Sequence, residues 1–594
     1  MIRDTASGHE GFDDDVPSAP SSRDLAVLTA LAADLSRLQY TVDGVEDLLG
    51  AQAYAALGRG QFVPALLRAQ QRHRGPDGVR AAPVLLWLLG EPVTEGDLGD
   101  AFPTVGVRGL EHLRLIERAA HSVGYATAPA PAAEPVAAPA PATEPVAATA
   151  PAPAPAPAAG PKTTPAAEAS GSATAPLWRA AVELRPYGSD VGGNLWVASD
   201  LGAEQRPGPL RHDHVLGIGG ASLTLAQTVM RTPVGRALDL GTGCGIQVFH
   251  LLPHADHVTA TDISDRALAF TRFNLLLNAP ALGIDPSRLD DRVSLRLGSL
   301  LEPVAGEEFD LVVSNPPFVI TPRSGTRDEA YTYRDGGLAG DAIVETLIRE
   351  LPTVLAPGAA AQLLGNWEIT EGTPWDRRLR SFVPPGVDAW IIQREQLSPV
   401  QYAETWLRDA AENRDRAAYL DSFTAYLEDF ASRDVEGVGF GSVWLRRPAA
   451  SRDLVRMTFE EITHDIEQPV GPHLAAAVER SDWLAAHTEQ AASGVGIAEE
   501  FLLVADDVTE ERHQRPGAEH PGVILLRQGA GLRRTTLLST ELAGFVSACD
   551  GDLTAGQIAG ALAMLLQRPD AAFTSELLVD VEQLIREGFL IPAP

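Results

Sequence analysis

The chain has 594 residues, too many for one ordinary domain, and its hydrophobic content of 45% is enough to build sizeable cores. A formal net charge of −32, with no segment basic overall, disfavours broad sequence-independent nucleic-acid binding; two cysteines far apart, Cys244 and Cys549, exclude a disulfide framework and a cysteine-rich metal site within one chain. No apolar run approaches the roughly 20 residues that span a bilayer, and Met1–Pro20 lacks the basic and apolar regions of a signal peptide, so the expectation is a cytoplasmic protein.

Residues 1–22 are polar and acidic and read as a disordered tail. From 23 to 125 the pattern is helical: LAVLTALAADLSRL, EDLLGAQAYAAL, FVPALLRAQQRH and GLEHLRLIERAA, with AAPVLLWLLG suited to a buried helix. Thr94 and Asp97 mark a further helix start. Short helices with small loops suit a winged-helix-like module and, equally, a plain helical cap. Residues 126–176 are almost entirely Ala, Pro, Thr, Glu and Ser, and PAAEPVAA recurs there as PATEPVAA. Such a segment cannot bury a core and reads as an extended linker.

Residues 177–450 have a different texture. VELRPYG and NLWVASDLG read as two short strands around a Gly-rich turn. Strands then alternate with helices through RALDLGTG, HVTATDIS, VSLRLGS, FDLVVSNPP and AAQLLGNW, which implies right-handed crossovers and a mostly parallel sheet. VDAWIIQRE and VGFGSVWLRR bracket a helical stretch near 400–432. Residues 451–594 form another module, ending in a helix–helix–helix–strand pattern that suits a small winged helix.

Asp239-Leu-Gly241-Thr242-Gly243-Cys-Gly245 follows a strand and opens a helix, so a ligand can lie against bare backbone there. Asp262 ends the next strand, where an acid can accept from both hydroxyls of a ribose. The G-x-G-x-G spacing is not that of a nicotinamide fingerprint, and no Gly-Lys-Ser/Thr phosphate cradle is present. Further on, a strand buried on both faces stops at Asn315-Pro316-Pro317-Phe318, because proline has no N–H for the ladder.

D-L-G-T-G-C-G, the acid of T-A-T-D-I-S and S-N-P-P-F together resemble the class I S-adenosylmethionine-dependent methyltransferases. The likeness is greatest to the subgroup acting on planar amino groups: release-factor glutamine methyltransferases, and adenine-N6 or guanine-N2 methyltransferases of nucleic acids. It implies a doubly wound, Rossmann-like α/β core, flanked by the helical N-terminal module and an α+β, winged-helix-like C-terminal module. It also implies S-adenosyl-L-methionine as cofactor. By the resemblance Gly241, Thr242, Gly243 and Gly245 pass under its methionine part, Asp239 lies near its amino group, and Asp262 with Ile263 holds the ribose. Ser299 and Leu300 occupy the position from which such enzymes contact the adenine, usually through an acid.

The same resemblance makes Asn315, Pro316 and Phe318 the catalytic set. A planar NH2 is a poor nucleophile because its lone pair is delocalised. Two acceptors, the Asn315 side-chain oxygen and the Pro316 carbonyl, can grip both hydrogens, favour pyramidal nitrogen and stabilise developing positive charge. Phe318 can stack on the flat group. Pro317, Asn366 and Trp367 are read as rim residues that contact substrate. His250, His254 and His257 lack acidic partners and His212–His214 reads as a polar loop, so no metal is expected. GIGGAS, Gly217–Ser222, resembles the segment that covers the cofactor, or is a simple turn. Arg323, Arg327 and Arg334 are interleaved with acids and read as a solvated loop. The expected partner is a macromolecule, either RNA or DNA or a protein such as a translation factor, with no membrane. A small-molecule N-methyltransferase and a cofactor-binding protein without turnover are the alternatives.

Overall fold

A computed structural model describes residues 15–119, 176–189, 193–202, 205–206, 211–323, 338–409, 416–449, 455–491, 496–568 and 570–593. The expected Ala/Pro-rich linker, apart from its last residue Pro176, lies outside the described residues, as do Arg327 and Arg334.

The N-terminal module is a set of short helices, among them Leu25–Arg37, Val42–Leu49, Phe62–His73 and Glu95–Ala101, closed by a small antiparallel sheet. Thr94 and Asp97 form a reciprocal capping box at the start of Glu95–Ala101, each side chain accepting from the other's backbone N–H. Val84–Leu88, inside the apolar run, is buried throughout. The central strand of the small sheet is Leu177–Ala180, paired with Val93–Thr94 on one side and Ile116–Arg118 on the other. Residues 177–180, expected to open the next domain, therefore complete the N-terminal one. Its indole Trp178 is 2% exposed, so the strand brings a core side chain with it. The tail expected for 1–22 also ends early: Ala19, Ser21 and Ser22 are buried, and Ser21 N–H donates to the Leu113 carbonyl.

A hairpin follows, Glu183–Gly188 with Asn194–Ser199. Its free edge is met by two buried asparagines, Asn278 on both backbone groups of Trp196 and Asn274 on both of Ala198. Buried backbone groups must find partners, and these amides supply them. Tyr40 and Trp196 tie the hairpin to the helical module, and one continuous core runs from that module into the main sheet.

The main sheet contains β1 (Val234–Leu240), β2 (Ala255–Asp262), β3 (Val293–Leu297), β4 (Phe309–Ser314), β5 (Leu355–Thr370), β6 (Asp388–Leu397), β7 (Val435–Arg446) and β8 (Met457–Glu461). Their spatial order is β8-β6-β7-β5-β4-β1-β2-β3. β7 runs antiparallel between β5 and β6; the other pairings are parallel. Order reverses at β1 and β4, and in open α/β sheets ligands bind outside the carboxyl ends of the strands at such a point. Helices α1 (Gly220–Thr228), α2 (Ile246–Leu251), α3 (Asp265–Leu277) and α4 (Ala342–Glu350) pack on the faces. A helical pair, α5 (Pro399–Asp409) and α6 (Arg416–Ala431), is inserted between β6 and β7. β8 lies beyond residue 450, so the sheet continues into the segment expected to begin a separate module. The Arg446 guanidinium, bonded to both Asp388 and Asp482, fastens helix Gly471–Ala491 to the same edge.

The C-terminal module has its own core around Phe545, Val581 and Phe589. Helices Thr540–Val546, Ala555–Leu565 and Ala571–Glu587 pack beside a three-stranded sheet. Among the described residues no single helix is long and apolar enough to cross a membrane.

Candidate active site

The carboxyl ends of β1, β2 and β4 converge because their turns bond to one another. Ser314 Oγ, at the end of β4, donates to the Leu240 carbonyl at the end of β1 (2.8 Å). Gly241 and Thr242 N–H both donate to the Thr261 carbonyl of β2 (2.9 Å each). Gly241 (φ 78°) and Gly243 (φ 58°) are in left-handed backbone, and a Cβ on either would project into open space. The turn is thus a bare cradle. Gly245 has a different reason: its Cβ would press on Thr271 Cγ2 at 3.1 Å, so it serves the packing of α3 and does not line the cavity.

Asp262 clamps the cradle. Its Oδ2 accepts from Gly243 N–H (3.0 Å) and its Oδ1 from Ser264 N–H (2.9 Å), which leaves further lone pairs toward the cavity. Burial pushes its carboxyl above the ordinary value, against these bonds. Asp239 lies beneath the turn and is fully buried. Its Oδ2 accepts from Thr242 Oγ1 (2.7 Å), while Oδ1 is buried with no hydrogen-bond partner. Burial is the main reason its pKa is pushed up to about 7; the neighbouring charge of Asp262 adds to this and the Thr242 bond opposes it.

A cavity of about 400 Å³ opens over the cradle, within the range of small-molecule and cofactor sites. Gly241, Thr242, Gly243, Asp262, Ile263, Ser299, Leu300, Asn315, Pro316 and Pro317 line it. Leu300 has φ 47°, and the Gly298 N–H donates to the Asp262 carbonyl, which brings Ser299 to the mouth. Asn315 is held at the other end: its Nδ2 lies 3.5 Å from Ser222 Oγ, and its Oδ1 is buried without a partner. The Pro316 carbonyl already accepts from Phe318 N–H (2.8 Å), which occupies one of its lone pairs. Phe318 packs at the seam of two core clusters and is not among the lining residues.

Two expected rim residues lie elsewhere. Trp367 is fully buried, donates Nε1–H to Gln393 Oε1 (2.9 Å) and fills space left by Gly439 and Gly441, where a Cβ would collide with its ring. Asn366 is 1% exposed and donates to the Tyr402 hydroxyl (3.0 Å). Both belong to the core because β5 runs on past β4 to Thr370 and stays paired with β7.

Other lining residues went unpredicted or were read as loop: Asp213, His214, Gln247, Ile343 and Leu347. Asp213 to Val215 form a strap held by a buried ion pair. Arg266, 3% exposed, forks onto Asp200 (2.6 and 2.7 Å) and also donates to the Asp213 carbonyl, while Asp200 accepts from Val215 N–H. Burial lowers the His214 pKa, which favours the neutral imidazole. Ser222 lies in the GIGGAS stretch, where the sequence offered a signal. A polar Gln247 inside the buried run IQVFHL was a second signal.

Residues 216–328 match the family model described as "Methyltransferase small domain", and 37–126 match a "Domain of unknown function (DUF7059)". Residues 216–328 thus form a methyltransferase domain. The methyltransferase region is similar to a ribosomal protein uL3 glutamine methyltransferase of Xanthomonas campestris, 37% identical over 132 residues, which are 21% of this chain and 39% of that protein. It is also similar to a release factor glutamine methyltransferase of Aquifex aeolicus, 35% identical over 127 residues, or 20% and 41% of the two chains. The chain thus spans about two-fifths of the length of these relatives. A solved putative sarcosine dimethylglycine methyltransferase of Galdieria sulphuraria aligns over 39% of this chain and 82% of its own, at 15% identity and a TM-score of 0.24, and nothing further rests on it. The site fits S-adenosylmethionine, the cofactor of such methyltransferases: a bare glycine cradle, an acid at the end of β2 in the cavity wall, and an orphaned carboxyl oxygen beneath.

Proposed function

We propose that the protein transfers a methyl group from S-adenosylmethionine to the side-chain amide nitrogen of a glutamine in another protein. The observation that carries this reading is Asn315 Oδ1, a buried acceptor without a partner, fixed at the end of β4 in the cavity wall. When bound over the cradle, the cofactor supplies an electrophilic methyl group. Gly241 and Gly243 would give it bare backbone to lie on, Asp262 would accept from its ribose, and Ser299 and Leu300 would contact its adenine. Asn315 Oδ1 accepts from the substrate NH2, which localises the nitrogen lone pair and offsets the charge that develops on it. Prolines 316 and 317 hold that amide's backbone in one direction. The nitrogen loses its proton after transfer, so no strong base is required.

Both relatives are named for glutamine in a translation protein, and a net charge of −32 repels a long polyanion more than it does a protein. A translation protein in the cytoplasm is therefore the substrate this reading favours. The test is transfer of tritium from labelled S-adenosylmethionine into a lysate lacking the gene, split into protein, RNA, DNA and small molecules. Label in protein, recovered as methylated glutamine after digestion, supports the reading. Label in RNA or DNA would move the substrate to a base amine, and no label would leave a binding protein without turnover.

A further inference from the structure

Gln247 is the second residue of α2, among Ile246, Val248, Phe249 and Leu251, all buried. Gln247 is itself only 5% exposed, yet it lines the cavity. Its Nε2 donates to the Ser222 carbonyl at 2.8 Å. A carbonyl can only accept, so chemistry fixes which end of the amide faces Ser222, and Oε1 is the atom left over. That oxygen is buried and has no hydrogen-bond partner. Asn315 Oδ1 is in the same condition, and the Asn315 amide lies against the hydroxyl of the same Ser222. Two amide oxygens without donors thus flank one serine in one cavity.

Both oxygens are acceptors only, so the group that satisfies them must bring hydrogens. An amino nitrogen brings at least two. The Pro316 carbonyl is a poorer second acceptor, because it already takes the Phe318 N–H. We propose that Gln247 is a ligand-binding residue of this site, its Oε1 accepting from an amino nitrogen alongside Asn315 Oδ1. The inference rests on the methyl-transfer reading, and two sources share the chemistry: the α-ammonium of the cofactor and the NH2 to be methylated.

Two variants separate binding from support. Gln247→Leu removes both the acceptor and the donor to Ser222. Gln247→Glu restores an acceptor but, when ionised, not the donor. Calorimetry uses S-adenosylhomocysteine, which carries the ammonium, and 5′-methylthioadenosine, which does not; label transfer from S-adenosylmethionine into the wild-type acceptor fraction gives the rate. If the ammonium is the source, the Leu variant binds S-adenosylhomocysteine roughly 10- to 100-fold more weakly, methylthioadenosine is unaffected, and Glu restores affinity. If the substrate nitrogen is the source, both nucleosides bind as to wild type while transfer falls about 10-fold or more in Leu and recovers in Glu. The inference is overturned if Leu matches wild type in every assay, or if Leu and Glu are equally impaired, as loss of the Ser222 bond alone would make them. Should Leu fail to fold, Gln247→Met takes its place. Wild-type protein that binds no S-adenosylhomocysteine would instead overturn the methyl-transfer reading itself.

Discussion

The Tyr402 hydroxyl accepts a hydrogen bond from the Ile320 N–H at 2.9 Å, two residues beyond Phe318. The same hydroxyl accepts from Asn366 Nδ2, and Tyr402 is fully buried among Phe430, Tyr426 and Ile320. It comes from α5, in the helical pair inserted between β6 and β7. That insertion thus reaches the chain just after the asparagine–proline turn and fixes its exit.

Tyr402→Phe keeps the ring and leaves two buried donors without an acceptor. The expected cost is about 2 kcal/mol of stability, as for an unsatisfied buried group. Tyr402 does not line the cavity, so S-adenosylhomocysteine affinity should hold. Transfer should fall about 10-fold, since small displacements of a positioning segment are felt in the rate. Chemical denaturation, calorimetry and a label-transfer assay distinguish these effects. A rate equal to wild type would confine Tyr402 to stability.

Asn315→Ala and Asp262→Ala should separate transfer from binding. Removing the Asn315 acceptor should lower kcat about 100-fold with cofactor affinity nearly unchanged. Asp262→Ala should weaken S-adenosylhomocysteine by about 2–3 kcal/mol, because the ribose loses an acceptor and the Gly243 and Ser264 N–H groups lose theirs. An Asn315→Ala protein that keeps kcat but raises KM would make Asn315 a binding residue only.

The Arg266–Asp200 pair should couple stability to the site. Arg266→Met takes the guanidinium from buried Asp200 and leaves it the Val215 N–H and the nearby His214, so the cost should be up to roughly 3–5 kcal/mol, the range for a broken buried pair. It also frees the Asp213–Val215 strap, so S-adenosylhomocysteine should bind more weakly in the folded variant. Arg266→Lys keeps charge but loses the fork, and should fall between. Urea melts and calorimetry on the same samples check both parts. A destabilised variant with wild-type affinity would show that the strap needs no such anchor.

Much of this architecture was legible because it is local. The glycine turn, the acid after β2 and the asparagine–proline stop each follow a strand, and period-2 and 3.6 patterns mark the elements between them. What escaped was pairing across distance. Leu177–Ala180 pairs with strands that precede the long Ala/Pro-rich segment, and nothing in four residues specifies a partner. β8 joins the sheet beside β6 from beyond the expected boundary for the same reason. Trp367 was misplaced because β5, buried along most of its length, gives no alternation that shows where it ends. Gln247 was passed over because a polar residue in a largely apolar helix does not show which atom its amide leaves unpaired.

Asp239 should make cofactor binding depend on pH. In the free protein its pKa is about 7, raised chiefly by burial, so near pH 6 most molecules hold it protonated. The sign for folding follows: the native state binds a proton that the unfolded chain, with its Asp near 3.9, has released. This contribution to stability is therefore full below the unfolded pKa and is lost as pH rises through about 7. Binding runs the other way. An ammonium set near the unpartnered Asp239 Oδ1 favours the ionised carboxylate, so binding from the protonated form must release a proton. S-adenosylhomocysteine affinity should rise with pH between about 5.5 and 7, approaching tenfold per unit at most, and level off above. Calorimetry at pH 6 in two buffers of different ionisation enthalpy should report close to one proton released. Asp239→Asn should abolish that release, flatten the pH profile and, above pH 7, bind more weakly than wild type. Equal proton release in the Asn variant would assign the linkage to another group, with Asp262 the first to examine, since burial raises its pKa as well.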